Sequence, residues 1–338
     1  MEVANMIKLG IIGTNWITGQ FIEAAHESKE FKLTSVYSRS EAKAKDFGEQ
    51  YGATNFYDNV TDFFASDSFE AIYIASPNSL HFEQIKLAIK AGKKVIAEKP
   101  MVSNPTEMAE VQEVLKKHPE SQLFEAARQI HQENFKIIEQ KVTVMETIQG
   151  ATLTYMKYSS RYDAILAGEE PNIFSPKFSG GALQDLGVYV VYDAIAWFGA
   201  PLKVQYYPTM LPTGVDGKGV AILTYKDFNV TLNVGKTANS YLMSEIYGLK
   251  DTIVMDNAAE LNEVVYRDGS DKEDMLSQFP AKNPMLAEAN AFARVINNPG
   301  DAASIADYKK WQALSIAVNQ VLFDLRQSAG IEFPADHK

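Results

Sequence analysis

Residues 6–18 read Met6-Ile7-Lys8-Leu9-Gly10-Ile11-Ile12-Gly13-Thr14-Asn15-Trp16-Ile17-Thr18, and this run decides the first domain. The apolar stretch 6–12 has the character of a strand buried on both faces, and a helical pattern runs from about Trp16 to Ser28. On a G-x-G-x-x-G fingerprint Gly13 takes the first glycine position, Asn15 replaces the second and Thr18 the third. The first glycine makes the tight turn, the second admits a pyrophosphate to the backbone, and the third lets helix and strand approach. Asparagine tolerates a left-handed conformation, so Asn15 is expected to keep the turn. On that basis Gly13, Thr14, Asn15, Trp16 and Ile17 are expected to face a nucleotide. The motif alone also fits an ordinary strand-to-helix turn with nothing bound.

Outward from this run, strand and helix patterns alternate. Strands are predicted at 33–38, 69–76, 93–99 and 122–127, with a helix after 80 and another over 104–117 that carries Pro105 in its first turn. That alternation implies a doubly wound parallel sheet, a Rossmann domain over residues 1–124. After about 145 the pattern becomes β-rich, with turns such as Lys226-Asp227, broken by one apolar helix at about 181–198. The second domain, 125–338, is therefore expected to be α+β with a large, mainly antiparallel sheet. Helices predicted at 284–297 and 305–328 close the chain and are expected to pack back on the first domain.

Composition narrows the function classes. A formal charge of −11 disfavours nucleic acid. Without cysteine there is no disulfide, thiolate nucleophile or thiolate metal site, and the five histidines lack metal-ligand spacing. The start, MEVANMIKLGIIG, runs straight into a strand, and no apolar run reaches membrane-spanning length. A cytoplasmic metabolic protein with no metal is the expectation.

The second strand ends in Ser38-Arg39-Ser40. NAD-preferring sites place an acid here for the ribose 2′-hydroxyl, whereas an arginine between two hydroxyls suits a 2′-phosphate. NADP is expected over NAD.

Three further segments carry a resemblance: Ser76-Pro77-Asn78-Ser79-Leu80-His81, then Ala97-Glu98-Lys99-Pro100, then Gly180-Gly181-Ala182-Leu183-Gln184-Asp185-Leu186-Gly187-Val188-Tyr189. Together with the 10–18 run they resemble the glucose–fructose oxidoreductase/inositol dehydrogenase (Gfo/Idh/MocA) family, in the right order and over nearly the whole chain. The resemblance implies that Lys99 and Asp185 face a nicotinamide. Inositol-dehydrogenase-like members have a histidine four residues after the aspartate. Tyr189 instead resembles the glucose–fructose oxidoreductase, dimeric dihydrodiol dehydrogenase and NADP-dependent xylose dehydrogenase branch, where tyrosine is the proposed acid/base. Such a tyrosine, with a free pKa of about 10, needs a nearby cation, which Lys99 supplies in this reading. Asp185 and Tyr189, four apart on a helix, are expected to share a face.

Ser76, Pro77, Asn78, Glu98, Lys99 and Pro100 are expected to line the cofactor site, and His81 either lines it or caps its helix. For a substrate such as an aldose, polyol or cyclic diol the candidates are Arg161, Asn172, Phe174 and Phe178. The aromatic members serve equally well as anchors of a long loop. Arg128 and His131 are further candidates near the pocket. The resemblance also implies a homodimer or homotetramer formed through the C-terminal sheet. The competing reading is a non-enzymatic NADP(H)-sensing regulator, resting on the substituted glycine at 15.

Overall fold

The computed structural model describes residues 6–270 and 272–337, so the N-terminal reading of residues 1–5 lies outside the described residues. The chain divides into two compact units. The first comprises residues 1–102, 106–128 and 281–313, and the second residues 103–105, 129–280 and 314–338.

In the first unit, β1 (Ile7–Ile12), α1 (Trp16–Glu27), β2 (Phe31–Tyr37), α2 (Glu41–Glu49), β3 (Asn55–Tyr57), α3 (Val60–Ala65), β4 (Ala71–Ile74), α4 (His81–Lys90), β5 (Lys94–Glu98), α5 (Pro105–Lys116) and β6 (Gln122–Ala126) follow one another. The strands lie in the order β3-β2-β1-β4-β5-β6, all parallel. Crossover helices cover both faces, which is why β4 reads Ala-Ile-Tyr-Ile with every residue buried. On one face Phe21 of α1 stacks on Tyr73 at 4.0 Å between ring centres. The other face is filled by Phe63, Phe69, Ile85, Ile89, Met108 and Val111. The strand order reverses between β1 and β4, and a crevice at strand carboxyl ends forms at such a switch point.

The second unit holds α6 (Glu133–Val144), β7 (Gly150–Met156), α7 (Tyr162–Leu166), α8 (Val188–Phe198), β8 (Lys203–Met210), β9 (Asp216–Thr224), β10 (Asn229–Gly235), β11 (Ser244–Tyr247), β12 (Thr252–Met255), β13 (Val264–Arg267) and β14 (Glu273–Met275). Its eight-stranded sheet runs β14-β13-β12-β11-β7-β10-β9-β8, antiparallel except for β7 against β10. On one face Phe135 of α6 meets Trp197 of α8 with ring centres 5.3 Å apart. The opposite face leaves Tyr207 and Val220 exposed, and the two pair across the strands.

The two last helices are α9 (Leu286–Asn297), in the first unit with Phe292 beside Phe124 at 5.0 Å, and α10 (Ala302–Ser328), whose residues divide between the units after 313. The single helix expected over 181–198 is in fact two pieces: a π-helical turn, Leu183–Gly187, followed by α8. Among the described residues no helix is long and apolar enough to cross a membrane.

Candidate active site

The cofactor-side candidates sit at four neighbouring carboxyl ends of the first sheet. Ile12 is in register with Tyr37 and Ile74, and Ile74 with Ala97. The segments after β1, β2, β4 and β5 therefore emerge side by side, bringing Gly13–Ile17, Ser38–Ser40, Ser76–Asn78 and Glu98–Pro100 to one edge. Gly13 has φ +107, and a Cβ on it would lie 2.6 Å from the carbonyl oxygen of Ala75. No larger residue fits this turn, so the backbone is free to lie close to a bound group.

Asn15 departs from the expectation. Its backbone is extended, φ −111, not left-handed. It is the N-cap of α1: Oδ1 accepts from the amides of Ile17 at 3.0 Å and Thr18 at 3.2 Å, while Nδ2 donates to the Ala75 carbonyl at 3.1 Å. The side chain thus replaces the missing glycine by a different device. It satisfies two orphan amides of the helix start and ties the β1 turn to the end of β4. Thr18 is fully buried at the packing position, and Trp16 is 77% exposed at the first turn.

Arg39 is exposed after β2, and Ser40 caps α2 by accepting from the Lys43 amide. Among the described residues neither Arg39 nor Lys43 carries an ion pair, so two cations stand uncompensated at this edge. Lys43 was not singled out in the sequence; its position four residues after Arg39, on the first turn of α2, is the signal for it.

His81 is fully buried, and the two alternatives raised for it both fail. Its Nε2 lies 2.8 Å from the Ser76 carbonyl and its Nδ1 3.2 Å from that of Pro100. Burial lowers its pKa. The ring clamps the end of β4 to the end of β5 and leaves no surface for a ligand. Glu98 is likewise buried, accepting from the Tyr73 hydroxyl and from the Lys99 amide at 3.2 Å, with burial raising its pKa. Lys99 itself is half-buried.

Beneath this edge lies a group of acids that sequence reasoning missed. Glu288 of α9 is fully buried with neither carboxyl oxygen hydrogen-bonded. Burial pushes its pKa well up, Glu98 repels its charge, and Arg128 attracts it. Glu125 accepts from the Met101 amide at 2.8 Å. An acid inside the apolar stripe Met285, Ala289, Phe292, Ile296 was the available signal.

The second unit carries the other candidates. Asp216, the first residue of β9, is buried and accepts from the Leu183 amide at 2.7 Å and the Tyr206 hydroxyl at 2.6 Å. It anchors the start of the π turn, and Gly181, at φ +119, must be glycine because a Cβ would fall 2.2 Å from the Asp216 carboxylate. The turn bears Asp185, whose Oδ2 accepts from the ammonium of Lys236, a residue outside every sequence motif. Tyr189, the second residue of α8, is 7% exposed and packs edge-on to Tyr155 at 5.3 Å. Gln129 Nε2 donates to its carbonyl at 3.4 Å.

Of the substrate candidates, Arg161 and Asn172 are exposed and Phe178 half-buried. Phe174 is fully buried, packed against Tyr162 at 6.1 Å with the Lys236 ammonium 5.3 Å from its ring centre. The structure gives it the anchoring role and removes it from the ligand contacts. His131 is buried as well.

Comparison with known proteins gives the family and the fold. The profile described as "Oxidoreductase family, NAD-binding Rossmann fold" (GFO_IDH_MocA) matches residues 7–124. The uncharacterized oxidoreductase YgjR of Escherichia coli (strain K12) is 38% identical over 98% of this chain and 99% of its own length. The scyllo-inositol 2-dehydrogenase (NADP(+)) IolU of Bacillus subtilis (strain 168) has the same identity and coverage, 38%, 98% and 99%. The chain belongs to the Gfo/Idh/MocA oxidoreductase family. Within the solved structures, the 3-ketoreductase KijD10 of Actinomadura kijaniata in complex with NADP and TDP-benzene superposes with a TM-score of 0.82 at 21% identity, covering 96% of this chain and 98% of that one. This Gfo/Idh/MocA chain therefore shares the two-part fold of a reductase over almost its full length.

Proposed function

We propose that the protein is an NADP-dependent dehydrogenase or reductase that moves a hydride between the nicotinamide and a CH–OH carbon of a sugar, polyol or cyclic diol. The observation that carries the cofactor choice is the exposed, uncompensated Arg39 at the end of β2, reinforced by Lys43. A 2′-phosphate meets two cations there, whereas a 2′-hydroxyl finds no carboxylate within residues 38–40 to donate to. The Gly13 turn and the N-terminal end of α1, which has no acid in its first turn, suit the pyrophosphate. The 38% identity to an enzyme named as an NADP-dependent scyllo-inositol dehydrogenase supports the same choice.

The nicotinamide, when bound, supplies the hydride chemistry. The chain's own residues handle the proton and the placement. Tyr189 takes the hydroxyl proton in oxidation and returns it in reduction. Lys99 donates to the reacting oxygen and stabilises its developing charge. Asp185 accepts from a neighbouring substrate hydroxyl and so fixes the ring. Arg161 and Asn172 extend that recognition at the exposed rim.

The regulator reading drew on Asn15, whose capping role gives its presence at the second glycine position a structural reason. The exposed Tyr207–Val220 face of the second sheet is assigned to pairing between copies, checked by the mass of the eluting species in light scattering. The function is tested by fluorescence titration with NADPH and NADH, followed by turnover on a panel of aldoses, inositols and cyclic diols. No NADPH binding, or binding without turnover on the whole panel, refutes it.

A further inference from the structure

We propose that Lys236 is a positioning residue for the reaction: it holds the Asp185 carboxylate ionised and in one orientation to accept from a substrate hydroxyl. This rests on the reading of Asp185 as a substrate-binding group. Lys236 follows β10, and the alternation Val230, Leu232, Val234, Lys236 carries it onto the buried face of the sheet. Its side chain is only 3% exposed against 22% for Asp185. A ligand can reach the carboxylate and not the ammonium.

Both ends of the pair are anchored. The Lys236 amide donates to the Gly217 carbonyl at 2.8 Å, and its carbonyl accepts from Ser159 at 2.9 Å, so its backbone is fixed between β9 and the segment after β7. The Phe174 ring lies 5.3 Å from the ammonium and keeps water off it. Asp216 attracts the same ammonium and grips the Leu183 amide that opens the π turn carrying Asp185. A buried ion pair adds little stability over an apolar pair of the same shape, so stability is a weak reason for it. A carboxylate kept charged at a partly open position is a functional one.

The test uses the purified full chain with NADP and the best substrate of the panel, comparing Asp185→Asn, Lys236→Met, Lys236→Arg and the double variant Asp185→Asn/Lys236→Met. Removing one member of such a pair leaves an uncompensated charge, so kcat/KM should fall on the order of 100-fold in Lys236→Met. NADPH affinity should stay within about twofold, since the pair is read as acting on a substrate hydroxyl and Lys236 is buried away from any ligand. Lys236→Arg should recover much of the loss. The double variant, which removes the Asp185–Lys236 pair as a unit, should regain part of the thermal stability lost in Lys236→Met and yet turn over no faster than Asp185→Asn. A role confined to folding predicts the reverse: kcat and KM per folded molecule unchanged in Lys236→Met, or activity restored with stability in the double variant. Either result overturns the proposal. If Asp185→Asn itself is fully active, or the wild-type chain turns over nothing on the panel, the underlying reading fails and the inference goes with it.

Discussion

Replacing Asn15 by alanine separates two roles that the substituted fingerprint could hold. The side chain accepts from two helix-start amides and donates to the Ala75 carbonyl. Losing an N-cap costs about 1 kcal/mol, and losing one further side-chain bond to a backbone carbonyl costs about another. The total, about 2 kcal/mol, lowers the melting temperature of the first unit by about 4 °C, at roughly 2 °C per kcal/mol for a chain of this size. Glycine is itself a fair N-cap, so Asn15→Gly should lose only about half as much. Cofactor binding should move differently. Without Asn15 the amides of Ile17 and Thr18 are released to a phosphate, so NADPH affinity in Asn15→Gly should hold or tighten. Calorimetry and fluorescence titration on the same preparations read the two effects apart. An Asn15→Ala protein melting within a degree of the wild type refutes the capping account. A loss of NADPH affinity beyond tenfold in Asn15→Gly refutes the claim that Asn15 acts on the helix and not on the ligand.

Arg39→Ala should weaken NADPH by roughly tenfold or more, the range of a charge-assisted contact, and leave NADH nearly unchanged; equal loss for both removes the 2′-phosphate assignment. Tyr189→Phe should lower kcat by about 10²–10⁴ with NADPH affinity kept, the usual span for a general acid–base group; unchanged turnover takes Tyr189 out of the chemistry. Glu288 is buried with its pKa raised, so the folded chain holds a proton that the unfolded chain releases. Its contribution to stability is complete below the unfolded value near 4 and is lost as pH rises, at up to about 1.4 kcal/mol per pH unit. Urea unfolding from pH 5 to 8 should show a shallower decline in Glu288→Gln, and an identical slope removes the buried proton.

The features legible in the sequence are those set by short-range pattern. Apolar runs ending in glycine or in a polar segment gave β1, β2, β4 and β5, and the order of motifs gave the cofactor edge. Short or polar elements were missed: β3 is three half-buried residues, Asn55–Tyr57, with no alternation to detect, and α6 mixes Lys136 and Gln140 with its apolar face. The parallel pairing of β7 with β10 joins residues nearly 80 apart, and no local signal records it. The sequence left two roles open for His81 and two for Phe174, and one reason explains why it could not choose. A side-chain type names what a residue can bind, but only packing shows whether a ligand can reach it.

Lys236 and Glu288 show the complementary case, in which a charge is invisible as a site because it sits where the pattern expects an apolar residue. Each interrupts a buried periodicity, Lys236 the alternation of β10 and Glu288 the stripe of α9. The consequences differ with the partners. Lys236 meets a carboxylate and stays paired, so the charge is kept and aimed. Glu288 finds no hydrogen-bond partner for either oxygen among the described residues and faces Glu98, a second acid, with Arg128 between them in sign. Burial then disfavours the anion, and the group takes up a proton instead. The two acids, Glu98 and Glu288, therefore titrate as a coupled set in the field of the Arg128 guanidinium, which stays charged, at the end of the strand that precedes Lys99. The charge that the set carries at a given pH acts on the Lys99 ammonium, since Glu98 and Lys99 already interact electrostatically. A Glu288→Gln protein should thus change the pH dependence of turnover as well as of folding, even though the residue touches neither cofactor nor substrate.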